Sequence, residues 1–173
     1  MALLPILIAP DPRLKHKASR VAQVDDNLRA LMDDMLETMY QAPGIGLAAP
    51  QVGATHRIIV ADIGKDESER QPYRMVNPEI IWASEEDSTY EEGCLSVPEH
   101  YANVVRPAAI QVRYVDPDNQ TRELTAEGLL ATVLQHEIDH LDGVLFIDHI
   151  SSLKRNMILR KLLKSRKQGS DTP

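Results

Sequence analysis

Between residues 25 and 43 the apolar side chains Leu28, Leu31, Met32, Met35, Leu36 and Met39 recur at steps of three and four. That is the period of one buried helix face. Asp25 or Asp26 can cap the start, and Pro43 stands beyond the end, so the spacing predicts an amphipathic helix here. The pattern then changes. Residues 44–51, GIGLAAPQ, are too rich in Gly and Pro for a regular element and read as a shaped loop before a β-branched strand at 57–63. Residues 75–83 and the stretch around Cys94 read as further strands. Residues 109–115 and 122–125 read as a hairpin turning at Asp116-Pro117-Asp118-Asn119. Helical periodicity returns at 129–141, opened by Gly128 and stopped by Asp142-Gly143. It returns again after Ser151 or Ser152, where Leu153, Met157, Leu159, Leu162 and Leu163 sit among basic residues. Helix, several strands, helix, helix, without regular βαβ alternation, predicts an α+β fold. Antiparallel or mixed strands should pack around the central helix, with a further helix at the C-terminal end.

Composition narrows this reading. A chain of 173 residues is the size of one domain, expected over residues 1–168, with 151–168 as a basic helix and 169–173 as a flexible tail. With 43% apolar and 26% charged residues the chain is neither disordered nor membrane-like. The apolar start at 2–9 lacks a basic leader, is broken by Pro5 and runs into Pro10 and Pro12, so it is not read as a signal peptide. No run approaches the ~20 apolar residues that span a bilayer. The single cysteine, Cys94, has no intramolecular disulfide partner and fits a reducing compartment, so a cytoplasmic protein without membrane contact is expected. The net charge is −7, but it is unevenly spread. From Ser151 onward seven basic residues (Lys154, Arg155, Arg160, Lys161, Lys164, Arg166 and Lys167) face Asp171 alone. An acidic body argues against specific DNA binding, while the basic end can dock on a phosphate-rich surface, with Leu153, Met157 and Leu162 as its expected anchors to the body.

The candidate chemistry lies in the central helix. His136-Glu137-Ile138-Asp139-His140 is an HExxH pattern. Four residues advance about 400° around an α-helix, so the two imidazoles project from one face a turn apart and can share one metal ion. Glu137, beside that face, is placed to act as general base. A third ligand must come from elsewhere. No Glu follows Glu137, and Phe146 stands where the longer HExxHxxGxxH pattern would have its third His. His149 comes three residues too late for that pattern, and Asp142 or Asp148 is a weaker possibility; Cys94, the only thiol, is favoured. Two His and one Cys would leave the fourth position open, as catalytic sites do.

GIGLAAPQ at 44–51, EGCLS at 92–96 and HEIDH at 136–140 occur in that order. Together they resemble the three signature motifs of the peptide deformylases, over nearly the whole chain, in the shorter bacterial form with a C-terminal helix. The resemblance implies a metal-dependent hydrolase of protein biosynthesis and N-terminal processing, which removes the N-formyl group from N-formylmethionyl nascent polypeptides and releases formate. It implies Cys94, His136 and His140 as metal ligands, with Fe²⁺ the native ion and Zn²⁺, Ni²⁺ or Co²⁺ as possible replacements. Glu137 would deprotonate the water and later protonate the amine, while Gln51 and the backbone N–H of Leu95 would bind the oxyanion. Gly44 and Gly46 allow an extended peptide to add along the loop as a strand. Ile45, Leu129 and Val133 are candidates for a methionine pocket. Glu92 is counted with them as substrate-binding, and also with Asp139 as support for the ligands, with Arg106 as partner. Thr132 and Tyr101 stand where some relatives carry an aliphatic residue and an arginine. The basic helix suggests contact with the ribosome.

Overall fold

In the computed structural model, residues 2–170 are described, with side chains through Arg166. The expected helix forms as α1, Asp26–Gln41, with the Asp25 carboxylate accepting from the Leu28 N–H at its start. Its buried stripe is Met32, Met35, Leu36, Thr38 and Met39. Five strands then build one antiparallel sheet in the order β1-β2-β3-β6-β7: β1 Gly46–Ala48, β2 Ile58–Ala61, β3 Tyr73–Ala83, β6 Ala109–Val115 and β7 Thr121–Glu127. Two more, β4 Asp87–Cys94 and β5 Val97–Pro107, form a separate antiparallel ribbon. The helix α2, Gly128–Leu141, carries HExxH, and α3, Ser152–Ser170, follows a 3-10 turn at Phe146–His149. This is the α+β architecture expected, with α2 at its centre.

Successive side chains of a strand point to opposite faces, and β2 uses both. Ile58 and Val60 join Met32, Met35 and Met39 of α1, while Ile59 and Ala61 join Val133, Leu134, Ile138 and Leu141 of α2. The sheet is therefore clamped between two helices, and all four β2 residues are fully buried. At roughly 1.5–3 kcal/mol per buried large apolar side chain, this double packing fixes β2, and with it β1, against α2. A third cluster, around Phe146, Ile147, Val97, Ala102 and Val104, joins the ribbon to α3 through Ile158 and Leu162.

Two expectations are corrected. The GIGLAAPQ segment is not wholly irregular: Gly46–Ala48 pairs with β2, and Ala49–Val52 forms a 3-10 turn. Pairing with an already buried strand supplies the order that the local sequence lacks. On α3, Leu162 is an anchor but Leu153 and Met157 are not; they are 77% and 43% exposed. Ile158 packs inward instead, four residues before Leu162 on the same helix face. Residues 171–173, most of the tail expected at 169–173, lie outside the described residues.

Candidate active site

Three elements meet at one cleft of about 730 Å³. Helix α2 presents His136, Glu137 and His140, all buried. The ribbon presents Glu92 and Cys94 at the end of β4, where a register shift between Glu92 and Cys94 swings the chain into the tight turn before Val97. The first motif presents Gly44, Ile45 and Gly46 on one flank, with Gln51 behind them. The favoured ligands, the proposed catalytic groups and the substrate-binding residues all line this cleft except His140, which sits beneath it at 1% exposure; Arg106 and Asp139 stand behind it, and Asp142 and Asp148 do not reach it.

One ligand atom each from Cys94, His136 and His140 lies within 4.8 Å of the others. Cys94 Sγ is 3.3 Å from His140 Nε2, and the two imidazole rings meet edge to face with centroids 5.1 Å apart. Among the described residues no other group of three His, Cys, Asp or Glu converges in this way. The donor set fits a divalent transition metal: one soft thiolate and two imidazoles spaced to close on a common centre. His136 is oriented for that role, because its Nδ1 donates to Glu92 Oε1 at 2.9 Å and leaves Nε2 facing the cluster. Burial holds the His140 pKa well below its usual value, with the charges of His136 and Arg106 adding to the effect, so His140 stays a neutral donor. At His136 burial acts in the same direction, but Glu137, Cys94 and Glu92 outweigh it and raise the pKa.

Glu137 differs from the other carboxylates. Its Oε1 is buried with no hydrogen-bond partner, and desolvation pushes its pKa up to about 7, against the opposing charge of His136. A carboxyl group poised near neutrality can both take and return a proton. Gly46 makes room for it, since a Cβ there would overlap Glu137 Oε2 and lie 2.9 Å from Cδ. Gly44 likewise stands 2.7 Å, as an added Cβ, from Leu95 Cδ1.

Gln51 is 1% exposed and fixed from both ends. Its Oε1 accepts from the Ala48 N–H at 2.9 Å, while Nε2 donates to Ser96 Oγ at 3.0 Å and approaches Cys94 Sγ at 3.5 Å. The two carboxylate oxygens of Glu92 are engaged by His136 and by the two-point grip of Arg106, at 2.6 and 2.9 Å. Glu92 thus stands behind His136, and Arg106 reaches on to Asp139 at 2.8 Å. Leu129 and Ile45 are partly exposed, and Val133 is buried between them and the core. Sequence reasoning missed Ile6 and Ile8, which complete the apolar wall beside Ile45. It also missed Ser96, which holds the Gln51 amide, and Phe146, whose ring stacks on His136 with centroids 6.0 Å apart. Ile6 and Ile8 carry no local signal, whereas Ser96 lies inside a motif already singled out.

A helix-borne HExxH, an upstream cysteine closing on both imidazoles and a cleft wide enough for a peptide together define a metal-dependent hydrolase. Comparison with known proteins then specifies which. A sequence model of the polypeptide deformylase family matches residues 3–156. A peptide deformylase of Methylocella silvestris is 58% identical, covering 100% of this chain and 90% of the relative. One of Rhizobium meliloti is 55% identical over 96% of each chain. Among solved structures, a peptide deformylase of Ehrlichia chaffeensis superposes with a TM-score of 0.92 at 38% identity, covering 97% of this chain and 99% of the other. A second crystal structure from that organism, in complex with actinonin, gives 0.90 at 42% identity, covering 95% and 98%. The chain belongs to the peptide deformylase family, and its activity is the hydrolytic removal of the N-formyl group from nascent polypeptides. Among the described residues no helix is long and apolar enough to cross a membrane.

Proposed function

We propose that Cys94, His136 and His140 hold one divalent ion and that Glu137, Gln51 and the backbone N–H of Leu95 carry out deformylation of N-formylmethionyl peptides around it. The observation that carries this reading is the buried Glu137 carboxyl, with one free oxygen and a pKa near 7, set beside the three-ligand cluster. When bound, the ion supplies Lewis-acid charge for the formyl oxygen and acidifies a water molecule. Glu137 removes the proton from the attacking water and returns it to the departing amine nitrogen. Gln51 Nε2 and the Leu95 N–H donate to the oxyanion that forms at the formyl oxygen, where fixed donors act mainly in the transition state. Gly44 and Gly46 leave the backbone edge open to an extended peptide, and Ile45, Leu129 and Val133 receive the methionine side chain. Glu92 keeps the His136 ring in its ligating orientation. A formate-release assay on a formyl-Met peptide tests the set. Glu137→Gln should retain metal and lose most turnover, and near-normal turnover in that variant would refute the base assignment.

Thiolate and imidazole donors suit iron, zinc, cobalt and nickel alike. Fe²⁺ is proposed as the native ion, by likeness to the family. Aerobic handling should then inactivate the enzyme, and Ni²⁺ or Co²⁺ should protect it. Zinc with full specific activity in anaerobically purified protein would refute the iron assignment.

Residues 1–168 act as one catalytic domain, working in the cytoplasm, where a lone thiol stays reduced. The outward face of α3 is the proposed ribosome contact. Lys154, Arg160, Lys161 and Lys164 are exposed there around Leu153 and Met157, while Ile158 and Leu162 hold the opposite face to the body. Replacing those four cations with Glu should abolish ribosome co-sedimentation at low salt and spare hydrolysis of a short formyl-Met peptide. Undiminished co-sedimentation would refute the contact.

A further inference from the structure

The 3-10 turn Phe146–His149 takes no direct part in the proposed chemistry, yet it reaches the ligand His136 by two routes. The first is direct: the Phe146 ring stacks on the His136 imidazole at an interplanar angle of 24°. The second is a chain of charge-assisted hydrogen bonds. His149 Nε2 donates to Asp139 Oδ2 at 2.8 Å, and Arg106 Nη1 donates to the same oxygen at 2.8 Å. The remaining guanidinium nitrogens hold both oxygens of Glu92, and Glu92 accepts from His136 Nδ1. Nitrogen donors and carboxylates alternate along the whole path. All but its outer end is enclosed: Arg106 and Glu92 are about 5% exposed, while the side chains of Asp139 and His149 are 27% and 36% exposed.

We propose that His149 is a positioning residue for the metal centre, acting through Asp139, Arg106 and Glu92 to set the orientation of His136. The proposal rests on His136 being a ligand, as argued above. Asp139 lies near solvent and can turn away from Arg106 unless its Oδ2 is held. Once it turns, the buried Arg106 loses one of its two carboxylates and the grip on Glu92 loosens. His136 then loses the partner that fixes its ring. The same turn also receives α3: Asp148, next to His149, is ion-paired with Arg155 of that helix at 3.0 Å and with Lys15. The helix that faces outward and the imidazole that faces the metal are thus joined through four residues of backbone.

The test uses the full-length enzyme loaded with Co²⁺, whose d–d and thiolate charge-transfer bands report ligand geometry independently of turnover. His149→Ala removes an exposed side chain and should leave the enzyme folded, with only a small fall in melting temperature. It should shift the d–d envelope and speed Co²⁺ loss to a chelator by about fivefold, less than the 10–100-fold typical for partners that touch a ligand directly. His149→Gln, whose amide N–H can still donate to Asp139, should restore both. Unchanged spectrum and loss rate in His149→Ala, or equal changes in both variants, would overturn the proposal. A wild-type enzyme with no thiolate band would overturn the ligand set and this inference with it. A wild-type band alongside indifferent His149 variants would overturn this inference alone.

Discussion

Gly46→Ala probes the site with a single methyl group. Gly46 lies in β1 with no left-handed backbone, so alanine is disfavoured there by space alone. The added Cβ would lie 2.9 Å from Glu137 Cδ and 3.0 Å from Cγ, and closer still to Oε2. Carbon atoms pack at about 3.5–4.0 Å, so the carboxyl must retreat by at least about 0.6 Å. It cannot swing freely, because Glu137 is only 4% exposed on a helix packed against the sheet. Displacing a general base by roughly this distance should lower kcat for a formyl-Met peptide about 30- to 100-fold, or about 2–2.7 kcal/mol in barrier. Bound metal should stay near stoichiometric, since none of the three ligands is touched. The control is Glu137→Asp, which withdraws the carboxyl by one methylene. In that background Gly46→Ala should add little further loss, giving a clear coupling energy in the double-mutant cycle. Normal kcat in a folded Gly46→Ala enzyme, or the same fold-loss in both backgrounds, would refute the steric argument.

Gln51→Leu should lower kcat more than it raises KM, because the amide donor matters most once charge develops on the formyl oxygen; an unchanged kcat in steady-state assays would remove it from the oxyanion site. Burial and the 2.5 Å hydrogen bond to Asp62 raise the Tyr40 pKa from 10.0 to about 12. The neutral phenol is favoured in the folded state, so its contribution is complete below pH 10 and is lost as pH rises toward about 12. Melting curves should therefore decline through that window in the wild type more steeply than in Tyr40→Phe. On α3, Ile158→Ala should cost about 2–5 kcal/mol in denaturant unfolding, whereas Leu153→Ser should fall within about 0.5 kcal/mol, reversing the order that hydrophobicity alone suggests.

The helices were legible because their period repeats over several turns. The hairpin of β6 and β7 was legible because Asp-Pro-Asp-Asn marks its reversal. The second strand of the ribbon was not. Along β5 Val97, Ala102 and Val104 are buried, but Tyr101 and Val105 are exposed while Arg106 turns in to meet Glu92 and Asp139, so these three positions blur the apolar pattern. Strand β1 was hidden because three residues carry no period, and its pairing is dictated by β2. At the site, His136, Glu137, His140 and Cys94 could be argued from ligand chemistry. Gln51 could not, since its position depends on a 3-10 turn that carries it to within 3.5 Å of Cys94 Sγ. The bond of His149 to Asp139 was not legible because it arises from the fold of the turn after α2.

The chain has one cysteine, and it stands among the proposed ligands. Any thiol reagent therefore reads a single position, with no background from other sites. Alkylation should follow one exponential, slow while the sulfur is coordinated and faster once a chelator frees it, so its rate measures occupancy without labels, tags or turnover. The same chemistry makes a single oxidised sulfur sufficient to disable a molecule, so mass added per chain should track lost activity one for one.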